Sequence, residues 1–178
     1  MGRIKVYPPV KYIAAITFQE SLNLEEIVAV LKDLFSAVDS RSEIYPFSFT
    51  DYYEPEMGVN LQKLMVSFGE LRPAEFLPEA KLATNEIEKN YSIEGNRRVN
   101  IDPGYICAAK LVLATTKDYD HRIYLGRGIF GDVHLRFRNK YFAANDWTYP
   151  DYRQPQILEY FTRVRNLYLK QLAELSQI

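Results

Sequence analysis

Apolar residues along this chain switch between two periods. From Lys11 to Phe18 the run Lys-Tyr-Ile-Ala-Ala-Ile-Thr-Phe is short, apolar and partly β-branched, which predicts a buried strand. Asn23 with Glu26 three residues on has the form of a capping box. Leu24, Ile27, Val28, Leu31, Leu34, Phe35 and Val38 then recur at helical spacing. Ile44–Thr50 predicts an edge strand because it contains a proline, and Leu61–Phe68 another strand. Pro73–Tyr91 carries a second helix, with Leu77, Ala80, Ala83 and Ile87 on one face. Arg97–Ile101 predicts a strand ended by a turn at Asp102-Pro103-Gly104. Ile106–Thr116 fits helix or strand.

Farther on, Arg122–Leu125 and Ile129–Phe137 read as strands. In the second, Val133, Leu135 and Phe137 alternate with His134, Arg136 and Arg138, predicting an apolar face and a basic stripe. Arg138-Asn139-Lys140 reads as a turn. Apolar positions from Ile157 to Leu175 form a long amphipathic C-terminal helix. The order strand, helix, strand, strand, helix, strand predicts an α+β fold: one domain over residues 1–178, with a ferredoxin-like βαββαβ core, an added β-hairpin and the long C-terminal helix.

Composition adds little to this and excludes much. The 178 residues are 47% hydrophobic and 25% charged, the balance of a globular domain. With Cys107 as the one cysteine, an internal disulfide framework is excluded, and its apolar neighbours Ile106, Ala108 and Ala109 suit a buried, inert thiol. The amino terminus lacks the long apolar core of a signal peptide, and no apolar run approaches the roughly 20 residues of a membrane span. The expectation is a cytoplasmic protein without membrane contact.

The net charge of −1 hides an uneven distribution. Residues 1–94 carry 9 Lys+Arg against 15 Asp+Glu, while residues 95–140 carry 9 against 4 and both histidines. Either the two regions attract across the fold, or the middle segment holds an anion site.

There is no P-loop, no C-x-x-C and no G-x-S-x-G; Gly126 and Gly128 form a G-x-G. The densest polar stretch, Thr115–Gly128, offers Lys117, His121, Arg122, Tyr124 and Arg127 beside the two glycines. Arg binds phosphate bidentately, Lys as a point charge, and glycine lets backbone N–H groups approach. His121 is the candidate general acid or base. The alternative is a solvated loop in which Lys117 and Arg122 pair with Asp118 and Asp120. A second cluster places Arg98, Asn100 and Asp102 on one strand face. Trp147 either stacks a base or anchors the entry to the last helix. Asp51, Glu86 and Asp102 are oxygen donors suited to Mg²⁺ if they converge.

Several of these segments together resemble a known family. They are Thr50-Asp51-Tyr52-Tyr53 with Glu56-Met57-Gly58, Thr84-Asn85-Glu86, Arg98 to Tyr105, Lys110 to Tyr119, His121 to Gly126, and Trp147 to Tyr152. In order and spacing, over nearly the whole chain, they resemble the domain-of-unknown-function family numbered 4416. The resemblance implies a prokaryotic, cytoplasmic protein; some members carry the label "GTP-binding protein".

Three functions follow as expectations. The first is a site for a phosphate-bearing small molecule or nucleotide, built from Arg98, Asn100, Lys117, His121, Arg122, Tyr124, Arg127 and Trp147, with Mg²⁺ on Asp51, Glu86 and Asp102. The second is an RNA-binding sheet using His134, Arg136 and Arg138. The third is a non-catalytic interaction domain.

Overall fold

A computed structural model describes residues 2–3 and 6–175. Met1, Ile4 and Lys5, part of the amino-terminal stretch read for targeting signals, lie outside the described residues, as do residues 176–178. The chain builds an α+β fold around one antiparallel sheet. In chain order the elements are β1 (Val10–Gln19), α1 (Leu24–Leu34), β2 (Val38–Arg41), β3 (Tyr45–Pro46), α2 (Glu54–Met57), β4 (Leu61–Arg72), α3 (Leu77–Asn90), β5 (Val99–Ile106), β6 (Lys110–Thr115), β7 (Arg122–Gly126), β8 (Ile129–Arg138), β9 (Tyr141–Ala144) and α4 (Pro155–Leu175). The sheet runs β2-β4-β1-β5-β6-β8-β7, with β3 beside β4 and β9 beside β8.

Both faces of the sheet are covered. Tyr12, Ala14, Ile16 and Phe18 of β1 pack with Ile27, Val28 and Leu31 of α1 and Leu77, Ala80 and Ile87 of α3. Ile13 and Ala15 turn the other way, toward Ile157, Tyr160, Phe161 and Val164 of α4. A central strand buried on both sides reads as a continuous apolar run, which is why β1 was legible. α1 is capped by Asn23, whose side chain accepts from the Glu25 N–H at 3.2 Å, and Asn23 Nδ2 donates to Glu26 Oε1.

Four expectations change. The first helix stops at Leu34, and Val38 opens β2 instead of closing the helical stripe. Of Ile44–Thr50 only Tyr45–Pro46 pairs as strand. Asp102-Pro103-Gly104 is not a turn: β5 runs straight through it, pairing residues 99–106 with β1. Gly104 is there for close approach, since a Cβ would sit 2.4 Å from the Val112 carbonyl oxygen of β6. Ile106–Thr116 resolves as strand over Lys110–Thr115.

A further change takes His134 out of the basic stripe and leaves Arg136 and Arg138 exposed. Leu111 pairs with Leu135 but Val112 pairs with Val133, so β8 carries one extra residue, His134, at a bulge. The bulge flips the pleat. Val133 packs on the α1 and α3 side, Leu135 and Phe137 on the α4 side, and His134 is fully buried. Asn145 and Trp147 donate to the Val133 carbonyl and Thr148 to that of His134. The loop before α4 thus satisfies backbone groups that the bulge takes out of the ladder.

Candidate functional site

β5 and β6 pair only from Gly104 to Ile106. Pro103, which has no N–H to donate, marks where that pairing stops. Beyond it the two strands part, and the gap between them is the candidate site. It has two lobes, of about 360 and 430 Å³, that share Tyr52, Tyr53, Asp102, Lys117 and Tyr149.

The parting exposes the edge of β5 where it would need a strand partner. α3 supplies one with side chains. Glu88 accepts from the Ile101 N–H at 2.7 Å and Lys81 donates to the Ile101 carbonyl at 2.9 Å. The two residues lie seven apart, two turns of one helix face. Lys81 also reaches Asp102 at 3.4 Å, and Asn100 donates to Asp102 at 2.9 Å. Arg97 clamps Glu56 with two nitrogens and reaches Glu88 at 2.9 Å, tying the segment around α2 to the start of β5. Burial pushes the Glu88 carboxyl above the ordinary range, offset only in part by Lys81. For Asp102 burial acts in the same direction, but Lys81, Lys63 and the Asn100 hydrogen bond outweigh it and hold the carboxyl below the ordinary range.

The second lobe lies on the α4 side. Lys63 of β4 meets Asp151 at 2.7 Å, both nearly fully buried, and lies against the Phe47 and Tyr152 rings. Phe49, Tyr119, Tyr149 and Pro150 give the lobe aromatic and apolar walls. Arg122, 2% exposed, donates to Asp132 at 3.2 Å and to the Lys117 carbonyl at 3.0 Å, and lies over the Tyr119 ring. Asp132 in turn faces His134 at 3.3 Å, and His134 Nε2 accepts the Tyr149 N–H at 3.1 Å. That acceptor role puts the neutral ring's proton on Nδ1, toward Asp132. Burial alone would raise the Asp132 carboxyl; His134, Arg122 and His121 reverse this and lower it.

Lys117 stands at the junction of the lobes. Its Nζ donates to the Tyr52 hydroxyl at 2.8 Å and lies over that ring, and among the described residues no carboxylate is within ion-pair distance. The solvated-loop alternative is corrected here: neither Lys117 nor Arg122 pairs with Asp118 or Asp120.

The site residues expected from sequence separate into two groups. Asn100, Lys117, Arg122 and Asp102 line the cleft. Arg98 is bound to Gln19 and Ser21 at the end of β1. His121 stacks on Trp147 at 4.9 Å and faces Asp132 at 3.4 Å, behind the wall rather than in it. Tyr124 is exposed on β7. Arg127 pairs with Glu79 at the tip of the β7–β8 hairpin, whose residues Gly126, Arg127 and Gly128 all have positive φ, so the G-x-G is a tight turn. The Mg²⁺ set does not convene. Among the described residues no three His, Cys, Asp or Glu side chains form a metal group; Glu86 pairs with Lys89 on the surface and Asp51 is exposed.

Sequence reasoning missed Lys63, Lys81, Glu88, Arg97 and Asp151 as site residues. Signals existed: a lysine inside the apolar run of β4, and a Lys–Glu pair seven apart bordering an apolar helix face.

Residues 8–168 match the family described as Domain of unknown function (DUF4416), and the chain belongs to it. No curated protein and no solved structure matches the chain. Among the described residues, no helix is long and apolar enough to cross a membrane.

Proposed function

We propose that the cleft binds a small phosphate-bearing molecule, with a nucleotide as the form that fills both lobes. Lys117 carries the reading. It is a cation at the junction of the two lobes with no carboxylate beside it, so an incoming phosphate has no internal anion to displace there. Arg122 lies on the same side with its guanidinium fixed by Asp132, Lys117 O and the Tyr149 hydroxyl at 3.4 Å. Phe47, Phe49, Tyr53 and Tyr149 offer aromatic surface to a ring, and Asn85, Asn100 and Asp102 offer hydrogen bonds to hydroxyls. We read the framework under the cleft, with sheet order β2-β4-β1-β5 and crossovers through α1 and α3, as a ferredoxin-like core within a single domain.

The test is a thermal-shift screen of nucleotides, sugar phosphates and inorganic phosphate. A ligand at 100 times its dissociation constant adds about 2.7 kcal/mol, a rise of several degrees at this size. The rise disappears in Lys117→Ala, whose ligand-free midpoint stays at the wild-type value. Absence of any shift with every phosphate compound overturns the reading.

A further inference from the structure

Where β5 and β6 stay paired, at the end away from the cleft, the sheet carries an array of unpaired cations. Residues 105–112 and 134–144 form that end. They hold Lys110, Arg136, Arg138 and Lys140 and no Asp or Glu. Leu111, Leu135 and Phe137 pack toward α4, so Lys110, Arg136 and Arg138 project from the opposite face. Farther along the sheet α1 and α3 cover that face; here Arg136, Arg138 and Lys140 are exposed and Lys110 is half-buried. Lys110 stands directly opposite Arg136, and Tyr141, 55% exposed, directly opposite Arg138. Like charges opposed across a ladder cost stability. Among the described residues no carboxylate lies within ion-pair distance of any of the four cations to relieve it. His134, which the period of two would add to this face, is fully buried and takes no part.

We propose that this face binds single-stranded nucleic acid, with the cations on successive phosphates and Tyr141 stacked on a base. The ladder sets the cations about 5 Å apart across strands and about 7 Å apart along β8. A lone phosphate meets one or two of them, whereas a chain of phosphates meets the whole array and screens Lys110 from Arg136. Arg136 and Arg138 suit phosphate oxygens, which arginine grips bidentately. The Tyr141 ring beside them offers a surface on which any base stacks. A flat face spread over β5, β6, β8 and β9 does not enter the groove of a duplex, but unpaired bases lie open to it. Among the described residues no large aliphatic side chain of this end is exposed, so a lipid surface has nothing to bury there. The site is separate from the cleft and independent of what the cleft binds.

The test is fluorescence anisotropy with labelled RNA and DNA single strands of about 12 nucleotides, within the roughly 4–16 that such surfaces cover. Wild type is expected to bind, with log affinity falling linearly against log salt. Arg136→Gln/Arg138→Gln keeps the wild-type melting midpoint and makes that slope shallower by roughly 0.7 for each cation removed. Lys32→Gln/Lys170→Gln, which takes as many exposed cations from α1 and α4, leaves the slope unchanged. Tyr141→Ala weakens binding about tenfold, and Tyr141→Phe, which keeps the ring, does not. Binding of the RNA alone assigns the face to RNA; binding of both assigns it to single strands of either kind. The proposal is overturned if neither strand binds, or if the arginine variant keeps the wild-type slope. It is also overturned if Tyr141→Ala binds as wild type does, or if a duplex of the same sequence or phosphatidylserine vesicles bind as tightly.

Discussion

At the scale of the residue, this protein places charge where an apolar core would be expected and then neutralises it locally. Lys63 is the sharpest case. Its side chain is 4% exposed and Asp151 2%, and Tyr45 adds a hydroxyl at 3.4 Å to the same carboxylate oxygen. Such a pair contributes little against an apolar replacement, but removing one partner strands the other in low dielectric, at a cost of about 3–5 kcal/mol. Asp151→Ala is therefore expected to lower the melting midpoint by roughly 10 °C, with Lys63→Met/Asp151→Leu recovering most of the loss. Equal destabilisation in the single and double variants would show that the charge pair is not what holds the segment before α4. Lys117 makes the contrast. It is exposed and unpaired with any carboxylate, so its removal has no stranded partner, which makes it the clean probe of ligand binding.

At the scale of the element, the strands that part matter more than those that pair. The cleft exists because Pro103 and Gly104 act oppositely within three residues of β5: Gly104 lets β6 come close, and Pro103 denies it the next bond. Gly104→Ala is expected to cost about 1–3 kcal/mol, because the neighbour it meets is backbone. A midpoint unchanged from wild type would contradict that packing. Sequence reading took the same residues as a turn, since Asp-Pro-Gly carries turn chemistry and only the pairing with β1 and β6 overrides it. The basic stripe on β8 lost His134 for a related reason: period two assumes an unbroken pleat, and the extra residue there has no local signature. What was legible was local. β1, α1, α3 and α4 bury whole faces and keep their periods, whereas β2 and β3 are short and defined by pairing alone. In the site, cationic residues of the middle segment were legible as a cluster. Their partners from β4, α3 and residues 150–153 were not, because nothing in sequence brings those segments together. The β8–β9 hairpin gives a gain-of-stability test. Asn139 and Lys140 both have positive φ, 52° and 69°, in a two-residue turn that favours Asn-Gly. Lys140→Gly is expected to raise stability by about 0.5–1 kcal/mol in chemical denaturation.

At the scale of the whole molecule, the acidic first half and basic middle segment are wired together, and that wiring sets how the fold responds to acid. Glu56 and Glu88 of the first half meet Arg97 of the middle, and Lys63 and Lys81 face Asp151 and Asp102. Glu56 and Asp102 therefore lie below their ordinary range in the folded chain, and so does Asp132, which His134, Arg122 and His121 of the middle segment itself lower. A carboxyl lowered by folding stabilises fully above its unfolded value and loses that contribution as pH falls through its folded value. Glu88 runs the other way: its carboxyl is raised, so its contribution is fullest below the ordinary 4.5 and declines as pH rises through the folded value. The two signs together give a steep loss on the acid side and a shallow decline above it. Asp132→Asn isolates one part of the acid limb, because it removes the charge that holds Arg122 and faces His134 without removing the polar side chain. The stability gap between wild type and this variant is expected to be widest near neutral pH and to close as pH drops below the ordinary 3.8 of that carboxyl. Denaturant midpoints measured from pH 7 down to the acid transition check this. A gap that stays constant would mean that Asp132 contributes through shape and hydrogen bonding alone, and a gap that widens in acid would reverse the sign of its role.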